Sequence, residues 1–158
     1  MMKRFPMPLQ VEQLDDGTWR LLAPFLYQDP GQGLIQVPGR FDTDFASVRP
    51  LRNLAVILLG VSLAAGGLGL LLDWPFLTMA GAALGAFGFG ALLLYAAVVG
   101  YGNGPAVIHD YLYSTANLSR RQSDEVFYNA LRSSGVARWR AWLMWAGVRI
   151  GGHWRYGP

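Results

Sequence analysis

Residues 54–72, LAVILLGVSLAAGGLGLLL, and residues 76–99, FLTMAGAALGAFGFGALLLYAAVV, contain no charged side chain, and only Asp73, Trp74 and Pro75 separate them. A helix needs roughly 17–25 apolar residues to cross the hydrocarbon core of a bilayer, and each run has that length. The pair predicts a transmembrane helical hairpin with a very tight turn. Pro75 suits the first position of the second helix and Asp73 favours the start of that helix. Trp74 and Tyr101 fall where aromatic residues mark the two membrane–water boundaries. Gly81 and Gly85, one turn apart, let two backbones approach, with Gly60, Gly66, Gly67, Gly69, Gly88 and Gly90 as further small positions. A buried hairpin of a soluble protein is the competing reading. Size weighs against it, because a chain of 158 residues leaves little else to enclose so thick an apolar core.

Working outward, residues 1–53 and 101–158 are of mixed composition, so the chain reads as three parts: 1–53, 54–100 and 101–158. Two crossings bring the chain back to its starting side, which allows the first and last parts to complete one domain. Arg49 and Arg52 precede the hairpin, Arg120 and Arg121 follow it, and the turn carries only Asp73. The bias of basic residues toward the cytoplasmic side then predicts a two-pass integral membrane protein with both termini in the cytoplasm. Met1, Lys3 and Arg4 are not followed by an apolar stretch with a small-residue cleavage site, so no removable signal peptide is expected. The whole chain is 53% hydrophobic and 15% charged, with a mean hydropathy of +0.25. It has no cysteine, which excludes disulfide scaffolds, thiolate metal sites and cysteine nucleophiles. A net charge of +3, with 13 basic residues spread along the chain, makes no stripe of the kind that tracks nucleic acid, and no nucleic-acid partner is expected.

In the first part, residues 11–14 and 18–27 flank Asp15-Asp16-Gly17, a turn sequence that predicts a β-hairpin, and a further strand is expected over 34–37. In the last part Pro105 opens a helix to about Ser114. Ser119 with Gln122 three residues on forms a capping box for a second helix ending near Gly135. A third helix, from about Ala137 to Ile150, stops at Gly151-Gly152. The expected fold class is therefore α+β: a small β-hairpin and sheet, then three C-terminal helices, with the two-helix membrane hairpin inserted between them. The third helix carries Trp139, Trp142 and Trp145 among Arg138, Arg140 and Arg149, followed by Trp154 and Arg155. Two readings stand open for it: indoles and guanidiniums at a membrane interface, or a core stripe through Trp139, Leu143, Ala146 and Ile150.

Polar chemistry gathers in two strings, Phe41-Asp42-Thr43-Asp44-Phe45-Ala46-Ser47-Val48 before the hairpin and His109-Asp110-Tyr111-Leu112-Tyr113 after it. On a helix His109 and Tyr113 share a face while Asp110 points about 100° away, so the histidine and the carboxylate address different partners. Such a pair can serve as a base and a metal ligand at once. Asp124 lies on a face shared with Phe127 and Leu131, and a carboxylate on a largely apolar face demands a partner. If the first two helices pack antiparallel, Asp124 reaches one ring nitrogen of His109, fixes its tautomer and leaves the other free to take a proton from water. The same residues can equally form a satisfied polar pair without chemistry, with Asp124 paired to Arg120 or another arginine. His153, past the glycine pair, reads as solvent-facing.

The two strings, with Ala106-Val107-Ile108 ahead of His109 and then Ser119-Arg120, Ser123-Asp124, Phe127, Leu131, Gly135-Val136, Met144, Val148-Arg149 and Gly151-Gly152, resemble the signature of a phage and prophage family of unknown function, DUF1353. The resemblance covers most of the chain outside the hairpin, which looks like an insertion, and it implies an association with phage genomes without a reaction. His109-Asp110, Tyr113, Asp124 and Phe127 are also similar to the active-site helices of phospholipases A2. That resemblance implies His109 as the base, Asp110 as a calcium ligand, Tyr113 as a packing and hydrogen-bonding support, and Asp124 as the carboxylate that orients the histidine. It implies a phospholipid substrate at a lipid bilayer and calcium as cofactor. The glycine-rich calcium loop of those enzymes has no counterpart at the matching distance, because Tyr101-Gly102-Asn103-Gly104 abuts the histidine helix. Calcium takes roughly six to eight oxygens, so Asp42 or Asp44 is expected to complete its site beside Asp110. Two function classes follow: a membrane-anchored, calcium-dependent ester hydrolase, or a non-catalytic phage membrane or virion protein in which the cluster is a structural brace. The oligomeric state is not legible in the sequence.

Overall fold

The structure is a computed structural model that describes residues 4–45 and 49–157, with the side chains at 49–51, 153 and 154 outside that description. Ala46, Ser47 and Val48 of the first polar string, and the side chains of His153 and Trp154, therefore lie outside the described part. The chain divides into two compact units: Val48–Val99, and Met1–Ser47 together with Gly100–Pro158.

The first of these units is a helical hairpin of α1, Arg49–Leu71, and α2, Pro75–Val98. Both helices are long and apolar enough to cross a membrane. α1 begins five residues before the apolar run; Pro50 falls in its first turn, where a missing N–H breaks no helical bond. Asp73 precedes α2 by two residues. It takes a left-handed conformation, φ +51°, in the turn, and Trp74 occupies the cap position without a side-chain bond. The helices meet along small residues. A Cβ on Gly81 would lie 2.5 Å from Gly66 N, one on Gly69 2.5 Å from Thr78 N, and one on Gly88 3.0 Å from Leu59 Cγ, whereas Gly60, Gly67 and Gly90 face open space. Ser62 Oγ donates to the Gly81 carbonyl at 2.7 Å. Leu63, Leu70, Phe76, Met79 and Phe87 are exposed on the outside of the hairpin.

The second unit is a small α+β domain. Strands β1 Val11–Gln13, β2 Trp19–Leu21 and β5 Asp42–Thr43 form one antiparallel sheet in the order β1-β2-β5, and β3 Phe25–Asp29 with β4 Gly33–Val37 forms a second hairpin. The expected first turn is present: Asp16 Oδ1 accepts from the Thr18 amide at 2.9 Å and from its hydroxyl at 2.6 Å, and Gly17 takes φ +79°. The single strand expected over 18–27 is broken, because Pro24 has no N–H to offer a ladder and the chain changes sheet there. Asp29 closes the second hairpin. Its Oδ1 accepts from the amides of Gly31 and Gln32 at 2.8 and 3.0 Å, and its Oδ2 accepts from Asn129 Nδ2 at 3.2 Å, which fastens the hairpin to a helix.

Three helices complete the domain: α3 Asn103–Thr115, α4 Arg120–Ser133 and α5 Arg138–Gly151, followed by a 3-10 turn over Gly152–Arg155. The capping box at α4 has both of its bonds, Gln122 N to Ser119 Oγ and Ser119 N to Gln122 Oε1. α3 begins two residues before Pro105, behind Gly102 at φ +80°. Leu21, Phe25, Tyr27, Ile35 and Val37 of the strands pack with Val107, Ile108 and Leu112 of α3 and Val126 and Ala130 of α4 to make the core. α5 buries Ala141, Met144 and Val148. The stripe through Trp139 and Ile150 is thus not the buried one, since the helix turns the opposite face inward.

Candidate functional site

His109 stands on the buried face of α3 and Asp124 on that of α4. His109 packs against Phe127 with ring centroids 4.8 Å apart, and Tyr113, one turn along α3, reaches Asp124 and Arg120, so the two helices run antiparallel. The short connection after Ala116, which ends α3 in a left-handed conformation, produces this arrangement. His109 is 4% exposed and Asp124 0%.

Asp124 is the hub. Its Oδ1 lies 2.9 Å from His109 Nε2 and accepts from Tyr113 Oη at 2.6 Å, while its Oδ2 accepts from Arg149 Nη1 at 2.8 Å. Burial works to raise the Asp124 carboxyl, but the bonds from His109, Tyr113 and Arg149 outweigh it and hold the group below its ordinary value. Tyr113 moves the other way: burial first, and then its bond to Asp124, push the phenol above its usual range. It therefore stays a donor. A carboxylate only accepts, so His109 Nε2 carries the proton that points at Asp124, and in the neutral form of the ring Nδ1 is the acceptor. Nδ1 has no hydrogen-bond partner among the described residues. The only fully enclosed side-chain nitrogen or oxygen without a partner among them is Arg140 Nε.

Arginines on two helices close the cluster. Arg120 Nε lies 3.4 Å from Tyr113 Oη, and its Nη2 donates to the carbonyl of Arg149 and, at 3.4 Å, to that of Val148. The arginine that pairs with Asp124 is Arg149 rather than Arg120. Nothing local distinguishes Arg149 from Arg138 and Arg140 in an arginine-rich helix. The usable signal was the buried acid itself, which requires a cation from some neighbouring element.

Asp110 faces a different set of groups. Thr43 Oγ1 donates to Asp110 Oδ2 at 2.5 Å, and burial pushes the Asp110 carboxyl up to about 6, with the Thr43 bond acting against that rise. Asp44 is close enough to raise it further and is itself paired with Arg155, at 3.1 Å. Asp42 does not join them. Side chains alternate along a strand, so with Thr43 turned inward Asp42 points outward, where Arg20 binds it through both oxygens at 2.8 and 2.9 Å. The expected cation site of Asp110, Asp44 and Asp42 is therefore not assembled: an arginine stands on Asp44 and a hydroxyl donates to Asp110. Among the described residues no three of His, Cys, Asp and Glu are grouped to hold a metal ion.

The matched segment begins in the last turns of α2 and takes in α3, α4 and most of α5. Residues 91–148 match the model of a protein family of unknown function, DUF1353. The DUF1353 resemblance read from the sequence is shown over that stretch, which contains His109, Asp110, Tyr113 and Asp124 and leaves Asp42, Thr43 and Asp44 outside. No curated protein and no solved structure matches the chain.

Proposed function

We propose that the chain is a two-pass integral membrane protein of the phage and prophage type that hydrolyses a phospholipid ester, with His109 as general base. The observation that carries this reading is the shared oxygen of Asp124, which engages His109 Nε2 and Tyr113 Oη together, so that the neutral ring presents Nδ1 as its acceptor. Nδ1 takes a proton from a water molecule as that water adds to the ester carbonyl. The C–O bond to the leaving alcohol breaks, and the alcohol takes the proton back from the ring. Asp124 orients the imidazole and offsets the positive charge it gains, and Tyr113 holds Asp124. Every step is assigned to this chain's own groups, and the calcium arm of the test below asks whether a cation is also needed. The bilayer enters through the two apolar helices, and Arg52 ahead of the apolar run favours cytoplasmic termini.

The test is fatty-acid release from phospholipid vesicles by the reconstituted full chain, with and without calcium, against His109→Ala. Release by the wild type that His109→Ala lowers by two orders of magnitude or more supports the hydrolase. Release that is absent, or unchanged in the variant, overturns it. A second reading is favoured by one observation, the third bond to Asp124 from Arg149. In that reading the chain is a non-catalytic phage membrane or virion protein, and the cluster braces three helices.

A further inference from the structure

α5 is amphipathic in the inverted sense. Its inward face carries Ala141, Met144 and Val148, and its outward face carries Trp139, Trp142 and Ile150, which are 51%, 57% and 82% exposed. At 100° per residue these three fall within one 80° sector, opposite the buried stripe. Exposed large apolar side chains that share a face mark an interaction surface rather than the scatter normal for a soluble domain. Arginines flank this sector: Arg138 and Arg149 on one side and Arg140 on the other. No acidic residue occurs after Glu125.

Two further observations say what covers this surface. The Arg140 guanidinium stacks on the Tyr101 ring at 4.3 Å and on Trp139 at 4.9 Å. Tyr101 follows the last residue of α2 by three positions, and three residues of chain reach about 10 Å at most. A span that ends at a bilayer surface thus tethers the Arg140 stack close to the headgroups. Indoles prefer that layer, where one edge of the ring is wet and the body is not, and guanidiniums bind phosphate through paired donors.

We infer that the Trp139–Trp142–Ile150 face of α5 is a lipid-binding surface that lies in the phospholipid headgroup layer, with Arg138 and Arg140 facing lipid phosphates while Arg149 stays on Asp124. This inference rests on the reading of α1 and α2 as membrane spans and is independent of any hydrolysis.

The chain has no cysteine, so single cysteines can carry a fluorophore. Three full-length variants, Trp142→Cys on the proposed face, Glu125→Cys on exposed α4 and Leu63→Cys on the outside of the hairpin, are labelled and reconstituted into phosphatidylcholine–phosphatidylglycerol vesicles containing lipid with a nitroxide near the headgroup or deep in the chain. The expected result is deep-nitroxide quenching at 63, and headgroup-nitroxide quenching at 142 that is severalfold stronger than at 125. Quenching at 63 with none at 142 beyond that at 125 overturns the inference and leaves the spans standing. No quenching at any of the three overturns the inference and the membrane reading together.

Discussion

Asp124 Oδ1 lies 2.9 Å from His109 Nε2, and both side chains are buried. That contact joins two helices and uses the only acceptor on which Tyr113 also converges, so the ionised form of Asp124 is built into the folded state. A carboxyl held below its ordinary value adds stability above the unfolded pKa and loses it as pH falls through the folded one. Asp124→Asn is therefore expected to destabilise the detergent-solubilised chain at pH 7 by about 2–3 kcal/mol, and the difference from wild type narrows below pH 4. Thermal unfolding across pH checks it; a constant difference down to pH 3 contradicts the ionised hub.

Asp110 predicts the opposite sign. Burial raises its carboxyl to about 6, so the folded state holds a proton that the unfolded state has lost, and the penalty appears as pH rises from about 4 through 6. Asp110→Asn keeps an acceptor for the Thr43 hydroxyl and removes the charge. It is expected to melt higher than wild type at pH 8, by about 1–3 kcal/mol of stability, and to match wild type at pH 4. A variant that melts lower at pH 8 shows that the charged form of Asp110 is engaged by a group that stabilises it.

The sequence carried the parts of this fold that are written locally. Two charge-free runs mark the hairpin, Asp15-Asp16-Gly17 marks the first turn, and Ser119 with Gln122 marks the start of α4; in each, the decisive residues are near neighbours. His109, Tyr113 and Asp124 were legible because two helical periods and one short connection place them. Long-range partners were not. Arg149 on Asp124, Arg155 on Asp44 and the turning-out of Asp42 depend on how α5 and β5 dock, and no local spacing encodes that. Of the second hairpin only the strand over 34–37 was expected by itself, because the change of sheet at Pro24 depends on strand pairing that no local pattern encodes.

Gly102 and Gly100 separate two costs of adding a side chain. Both take positive φ, +80° and +82°, but a Cβ on Gly102 would lie 2.5 Å from Leu131 Cδ2 while one on Gly100 meets nothing. Each substitution to Ala pays the left-handed strain of about 1 kcal/mol, and Gly102→Ala adds the displacement of a core leucine. Gly102→Ala is expected to be the more destabilising, by about 1–2 kcal/mol, in denaturant titrations of the two variants. Equal losses show that Leu131 moves aside freely.

The hairpin gives the sharpest contrast, because its glycines are alike in sequence and unlike in surroundings. A Cβ on Gly81 would stand 2.5 Å from Gly66 N and 2.7 Å from Gly66 Cα, both backbone atoms that no change of rotamer can withdraw. One on Gly67, adjacent to Gly66 in α1, meets open space. Gly81→Ala therefore forces the helices apart by about 1 Å to restore ordinary contact, and separation weakens the bond from Ser62 Oγ to the Gly81 carbonyl, now 2.7 Å. Gly67→Ala improves helix propensity without touching the partner helix. The expected outcome in micelles is a loss of about 1–3 kcal/mol for Gly81→Ala against a neutral or slightly stabilised Gly67→Ala. Leucine-scale substitution widens the gap: Gly81→Leu separates the helices, whereas Gly67→Leu adds one more apolar side chain to an already apolar exterior. Disulfide cross-linking between cysteines placed at Leu59 and Gly88 reads the spacing directly, and efficient cross-linking in the Gly81→Leu background overturns the close-packed interface.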